Sequence, residues 1–330
     1  MRILLCILVL LTSCKQQKRE LVSIRGVEMT IPFRISVAGP LSQNEINALD
    51  STVFQTFRHI DQLYNNWNKD SEVSLINNST SNVEIPISHE LSTFLHTCEQ
   101  YVQASKGRFD PSIAPSLSLW KKAFDKDQIP SQDDINEAKK NCGWNNFTIK
   151  EFSIVKKHDA CALDLGAITK GYAVDCLVES LKQLGFSSLF VEWGGEIRTV
   201  GKHPSNRPWS IYIANFEDVN PKSALEILSM QNEAVAISGD YLKHYRIGSH
   251  VYTHIIDTQT MQPTEIKPGE KQSITVLAPT CLQADAIATW ILSTPDEYRA
   301  NVLKDIQQQF PQCEVHIYVH VPESTNTHSS

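Results

Sequence analysis

Residues 273–293 read SITVLAPTCLQADAIATWILS, and two periodicities meet in them. Residues 273–279 form a short apolar run closed by a proline, the pattern of a strand. Residues 281–293 are long enough for a helix and apolar on nearly every face, so that helix is expected to be buried. It carries one acid, Asp285, with Thr289 four residues on along the same face. A lone carboxylate in such a helix is costly without a partner. A neighbouring backbone N–H would satisfy it as a structural acid. A hard cation would also do so: Asp and Thr oxygens suit magnesium, and so small a protein ligand set leaves room for phosphate oxygens.

Outward from this stretch, strands and helices alternate irregularly. Strands are expected at 188–193, 209–215, 233–238 and 251–256, with a first strand over Arg25 to Val37 and a last over Val315 to Val321. A helix is expected at 168–184, with Ala173, Leu177, Leu181 and Leu184 on its core face and Gly185 as its stop. Another begins at Ser42, where Ser42 and Glu45 have capping-box spacing and Ile46, Leu49, Val53, Phe57, Ile60, Tyr64 and Trp67 recur at three or four residues. Further helices fit residues 88–105 and a short stretch from Ser131 to near Gly143. Pro111 and Pro115 bracket a segment expected to be irregular. This mixed order predicts an α+β fold. Without a repeat or a separating linker, residues 23–322 are expected to form one domain.

The chain opens MRILLCILVLLTSCKQQKRE. One Arg, an apolar run too short to span a bilayer, and a small-residue box before Cys14 are the features of a lipoprotein signal. Residues 1–13 are expected to be removed, Cys14 to be lipidated, 14–22 to be a tether and 323–330 to be disordered. The protein is then anchored to a bacterial membrane, facing the periplasm or the cell exterior. Formal net charge is −7, or −8 once Arg2 leaves, which argues against nucleic acid as a partner. Six cysteines remain beyond Cys14, none in a Cys-x-x-Cys pair, so neither a zinc site nor a thioredoxin-type site is indicated.

Residues 163–172, LDLGAITKGY, join a strand-like stretch to a helix. Gly166 and Ala167 let the backbone approach a ligand, and Lys170 in the first turn can reach a phosphate. The glycine spacing is not that of a P-loop. His254 stands at a strand end, where it is either structural or a proton shuttle.

Together these pieces resemble the ApbE family of FAD:protein FMN transferases. The resemblance rests on Gly26 to Phe33, Trp67 with Asp70-Ser71-Glu72-Val73-Ser74 and Asn77, and Gly107-Arg108-Phe109-Asp110-Pro111 with Leu119-Trp120. It continues through Asp164 to Tyr172, Ser238-Gly239-Asp240-Tyr241, His254-Ile255-Ile256-Asp257, and Ala278-Pro279-Thr280 before Ala284-Asp285-Ala286. Three residues depart from the family's pattern. Thr30 stands where Gly is usual, Ala167 where a second Gly is common, and Glu196 where Asp or Asn follows the Gly pair.

The resemblance implies a T-fold-like α+β architecture, mixed or antiparallel sheets with flanking helices, and FAD in a cleft between them. Met29, Trp67, Arg108, Phe109, Asp110, Asp164, Lys170 and Ile256 would line the nucleotide site. Magnesium would be held by Asp285, Thr289 and the Ala167 carbonyl. The implied reaction moves FMN from FAD to a Ser or Thr hydroxyl of an acceptor protein and releases AMP. His254 is the candidate base, with Asp257 orienting it. Acceptors would be flavin-carrying subunits of membrane redox complexes, brought close by the lipid anchor. Two other functions share these motifs: a magnesium-dependent FAD pyrophosphatase, and a flavin-binding lipoprotein without catalysis.

Overall fold

A computed structural model describes residues 20–218, 220–239, 244–266 and 269–321. The signal segment, Cys14, Asp240, Tyr241 and the tail from 322 lie outside the described residues.

The framework is a seven-stranded sheet whose spatial order follows the chain. Its strands are β1 (Leu21–Glu28), β2 (Ile31–Ala38), β3 (Leu189–Trp193), β4 (Glu196–Val200), β5 (Ala234–Gly239), β6 (Lys271–Ala278) and β7 (Glu314–His320). Every neighbouring pair is antiparallel. Eight α-helices are described: α1 (Gln43–Tyr64), α2 (Glu72–Asn78), α3 (His89–Ala104), α4 (Ala114–Asp125), α5 (Gln132–Asn141), α6 (Gly166–Gln183), α7 (Cys281–Leu292) and α8 (Asp296–Gln309). The α+β reading therefore holds.

Several elements differ from expectation. The first strand is a hairpin, β1–β2, turning at Met29 and Thr30 with φ of 47° and 67°. Two positive φ values suit a two-residue type I′ loop, but these side chains give none of its usual Asn-Gly signal. β1 begins at Leu21, so Leu21 and Val22 belong to the sheet rather than to a tether. The segment expected to be irregular after Pro111 contains α4, because Pro115 sits in that helix's first turn, where a missing N–H costs nothing. Seven strands were unexpected: β4, Ile85–Pro86, Phe147–Ile149, Ser153–Lys156, Glu226–Met230, His244–Ile247 and Gln262–Glu265. So were α2 and α8.

α7 is buried as its composition requires, and α6 packs along it. Gly171 makes that packing possible: a Cβ there would lie 2.3 Å from the Cys281 carbonyl oxygen. Asp175 of α6 accepts the Cys281 and Leu282 N–H groups, satisfying the first turn of α7, and pairs with Arg198. A separate small cluster holds Trp120, Ile135, Ile247, Tyr252, Ile256 and Met261. It joins α4 and α5 to a three-stranded sheet of His244–Ile247, His250–Asp257 and Gln262–Glu265. The six described cysteines form no disulfide.

Candidate functional site

A cavity of about 580 Å³ opens between the N-terminal end of α6 and this three-stranded sheet. That is within the usual range of ligand pockets, roughly 300–1,000 Å³. Trp67, Arg108, Phe109, Asp110, Asp164, Ala167, Lys170, His254, Ile256, Asp285 and Thr289 all border it. Two expected residues do not. Met29 is taken up by the β1–β2 turn and packs against the main core. Asp257 gives its carboxylate to the Gln259 N–H and the Thr260 hydroxyl, and lies 4.0 Å from Arg108 Nη1. It therefore supports Arg108 and its own turn rather than His254.

The wall made by α6 and α7 is held by helix packing. Asp285 is 1% exposed. Its Oδ2 accepts the Gly171 N–H at 3.0 Å, as the structural reading required. Its Oδ1 faces Lys170 Nζ at 3.5 Å. Thr289, one turn on, donates its hydroxyl to the Ala167 carbonyl at 3.5 Å. Asp285, Thr289 and Ala167 are thus brought together, all with hard oxygens.

Glu196, which the sequence marks only by its departure from the pattern it resembles, completes this wall. Trp193 pairs with Glu196 across the Gly194-Gly195 turn of the β3–β4 hairpin, which delivers the carboxylate to the cavity. Oε1 pairs with Lys170 Nζ, and Oε2 is buried without a hydrogen-bond partner. Two buried carboxylates face one ammonium, leaving one negative charge in excess when all are ionised. Burial pushes the Glu196 carboxyl up to about 8 against the pull of Lys170, and Asp285 is pushed up by the same cause. Such a cluster favours taking up a proton or a second cation. Oxygen donors of this kind fit magnesium. No cluster of three His, Cys, Asp or Glu side chains suited to a metal occurs among the described residues, so a cation here depends on the Thr hydroxyl and the backbone carbonyl.

The loops facing that wall are braced by side chains that the sequence motifs contain. Asp164 accepts the Gly166 N–H through Oδ1 and Asn66 Nδ2 through Oδ2. Asn77 bonds both the N–H and the carbonyl of Leu163, fixing the lead into α6, which is irregular rather than the strand-like stretch expected. Asp110 accepts the Ser112 and Trp144 N–H groups; burial raises its carboxyl and these bonds oppose the rise. Its role is to hold the 107–112 loop as well as to border the cavity. Arg108 Nη1 is buried with no hydrogen-bond partner; beyond Asp257 at 4.0 Å, its guanidinium lies over the Tyr298 ring, 5.0 Å from the ring centre. Trp67 stands at the rim, 79% exposed, with Lys121 Nζ 4.7 Å from its ring centre.

His254 reaches the cavity through an irregularity in its strand. Register shifts between Tyr252 and Ile256, and Thr253 Oγ1 accepts the Ile255 N–H there. Regular strand residues alternate between faces. The bulge lets Thr253, His254, Ile255 and Ile256 all border the same space.

Residues 28–313 match the ApbE family. A Chlamydia pneumoniae protein named FAD:protein FMN transferase is 37% identical over 292 residues, covering 88% of this chain and 89% of the relative. A Chlamydia trachomatis protein of the same name is 35% identical, covering 84% and 85%. The crystal structure of the Pseudomonas stutzeri flavinyl transferase ApbE, apo form, superposes with a TM-score of 0.77 at 25% identity, over 92% of each chain. With its fold, its motifs and nearly its whole length in common with these proteins, the chain belongs to the ApbE family.

Proposed function

We propose that this protein transfers FMN from FAD to a Ser or Thr hydroxyl of an acceptor protein and releases AMP. The observation that carries the reading is the α6–α7 wall: hard oxygens of Asp285, Thr289 and Ala167, with Lys170 and surplus negative charge, on a cavity of ligand size. The names of the relatives point the same way. Asp285, Thr289 and the Ala167 carbonyl would hold magnesium, which would neutralise pyrophosphate charge in such a transfer. Lys170 and Arg108 add cationic donors along the cavity. The acceptor oxygen forms a bond to the FMN phosphorus as the bond from that phosphorus to the AMP oxygen breaks. His254 takes the hydroxyl proton, and AMP leaves with the bridging oxygen. Phosphoryl transfer of this kind depends chiefly on positioning and charge, which fits a site whose walls are fixed by packing and backbone bonds.

Lipidation of Cys14 would hold the enzyme at the membrane outside the cytoplasm, within reach of flavin-carrying subunits of membrane redox complexes. Given FAD, magnesium and an acceptor domain, the protein should make that domain fluorescent on a denaturing gel, with AMP released in equal amount. A chelator should abolish both. AMP release without labelling of any acceptor would establish a pyrophosphatase instead, and no AMP at all would leave a flavin binder. Membrane fractionation of Cys14→Ser should find the protein released; retention like the parent would exclude the anchor.

A further inference from the structure

Asp285 has one oxygen to offer a cation, and it is the oxygen that Lys170 faces. Oδ2 is committed to the Gly171 N–H, whereas Oδ1 lies 3.5 Å from Lys170 Nζ. An ammonium paired fully with Asp285 would cancel the charge that attracts a divalent ion and occupy the place where it binds. Lys170 is not paired fully with Asp285. Its nearer partner is Glu196, which approaches from the other side on the β3–β4 hairpin and is 1% exposed. Glu196 Oε2 has no hydrogen-bond partner, so the carboxylate retains capacity for the ammonium. Its cross-strand partner Trp193 and its chain neighbour Ile197 are themselves buried, which limits solvent competition for this pair.

We propose that Glu196 is a positioning residue that holds the Lys170 ammonium off Asp285, leaving Asp285 Oδ1 for the divalent cation. This inference rests on the reading of Asp285 as a magnesium ligand. It assigns a role to a side chain that reaches the lysine from the hairpin while its backbone keeps β3–β4 pairing.

The test is a double-mutant cycle read by metal binding rather than turnover. Manganese would be titrated into the FAD-free full chain at mildly alkaline pH and followed by its electron paramagnetic resonance. Four proteins are compared: the parent, Glu196→Gln, Lys170→Met and the double variant, with Asp285→Asn as the ligand control. With Lys170 present, Glu196→Gln should weaken binding about tenfold or more, because the ammonium then has Asp285 as its one carboxylate partner. In the Lys170→Met background the same change should cost less than about threefold. Equal losses in both backgrounds would overturn the proposal, since Glu196 would then act directly on the cation. So would parent-like binding by folded Glu196→Gln. Parent binding that Asp285→Asn leaves unchanged would overturn the magnesium reading and this inference with it, a pattern distinct from the other two. Should Glu196→Gln prove unfolded by circular dichroism, Lys170→Met alone decides: the proposal requires it to bind manganese at least as tightly as the parent, and weaker binding would overturn it.

Discussion

The two walls of the cavity are built in different ways. On one side α6 and α7 meet at Gly171, within the main core, and regular helical spacing sets Ala167, Lys170, Asp285 and Thr289 against one another. On the other side a three-stranded sheet and α4 enclose a small core of their own, and His254 reaches the cavity from a bulge. The first wall carries the Lys170–Glu196–Asp285 cluster and the oxygen donors of Ala167 and Thr289. The second contributes rings, apolar side chains and the candidate base. Side chains on packed helices are hard to displace singly, whereas a satellite core can yield without unfolding the sheet beneath it. Changes to the first wall should therefore act on chemistry or global stability, and changes to the second on ligand affinity.

The largest effect is expected from Asp285→Asn. It keeps the shape but removes the charge needed by a cation, and turnover should fall about a hundredfold or more. Magnesium titration of AMP release checks this; an unchanged magnesium dependence would make Asp285 purely structural and remove the distinction between the walls. Gly171→Ala comes next. Its methyl would press on the Cys281 carbonyl, and helices in a packed core cannot separate cheaply, so stability should drop by about 3 kcal/mol. Thermal melting should then shift down by roughly 6 °C or more. A parent-like melting curve would show that the helix junction is looser than its geometry indicates.

Trp120→Phe probes the other wall. It keeps an aromatic ring among Phe124 and Tyr252 but loses the bond from Nε1 to the Met261 carbonyl, 2.8 Å long. Such a bond contributes about 1 kcal/mol, so KM for FAD should rise roughly three- to fivefold with little change in global melting. A fall in kcat with KM unchanged would instead tie this wall to the chemical step. The smallest effect should be a gain. Thr30 is exposed and holds φ of 67°, a costly conformation for a β-branched residue. Thr30→Gly should stabilise the chain by about 0.5–1 kcal/mol, seen as a rise of roughly 1–3 °C in melting temperature.

How far the sequence could be read follows the same division. The buried helix, its single acid and Thr289 on the same face are consequences of spacing within one element, and they stand where periodicity placed them. Ser42 and Ser131 cap their helices through the capping boxes their neighbours supply. The first hairpin was illegible because Met29 and Thr30 adopt a turn that their own preferences oppose. α4 was obscured by two prolines, though Pro115 occupies a position where a helix tolerates it. Glu196 meets Lys170 from 26 residues away, across a hairpin and a helix. No local pattern encodes such a meeting; it appears only when β3 and β4 pair beneath α6. Asp257 shows the reverse error: adjacency in sequence suggested a partnership with His254, while the fold turns its carboxylate toward Arg108.

The strictly sequential sheet has a consequence for how the chain is made. Hairpins β1–β2 and β3–β4 each close locally, but β2 joins β3 only after residues 39–188 have been synthesised between them. Closing so long an interval costs roughly 4 kcal/mol of chain entropy, which the β2–β3 ladder recovers only on completion. Until then β2 presents an open edge, and Ile35 and Val37, wholly buried in the finished sheet, have no cover from β3. The first hairpin is thus the segment most in need of protection while the chain is emerging, and the one most prone to pair with another copy.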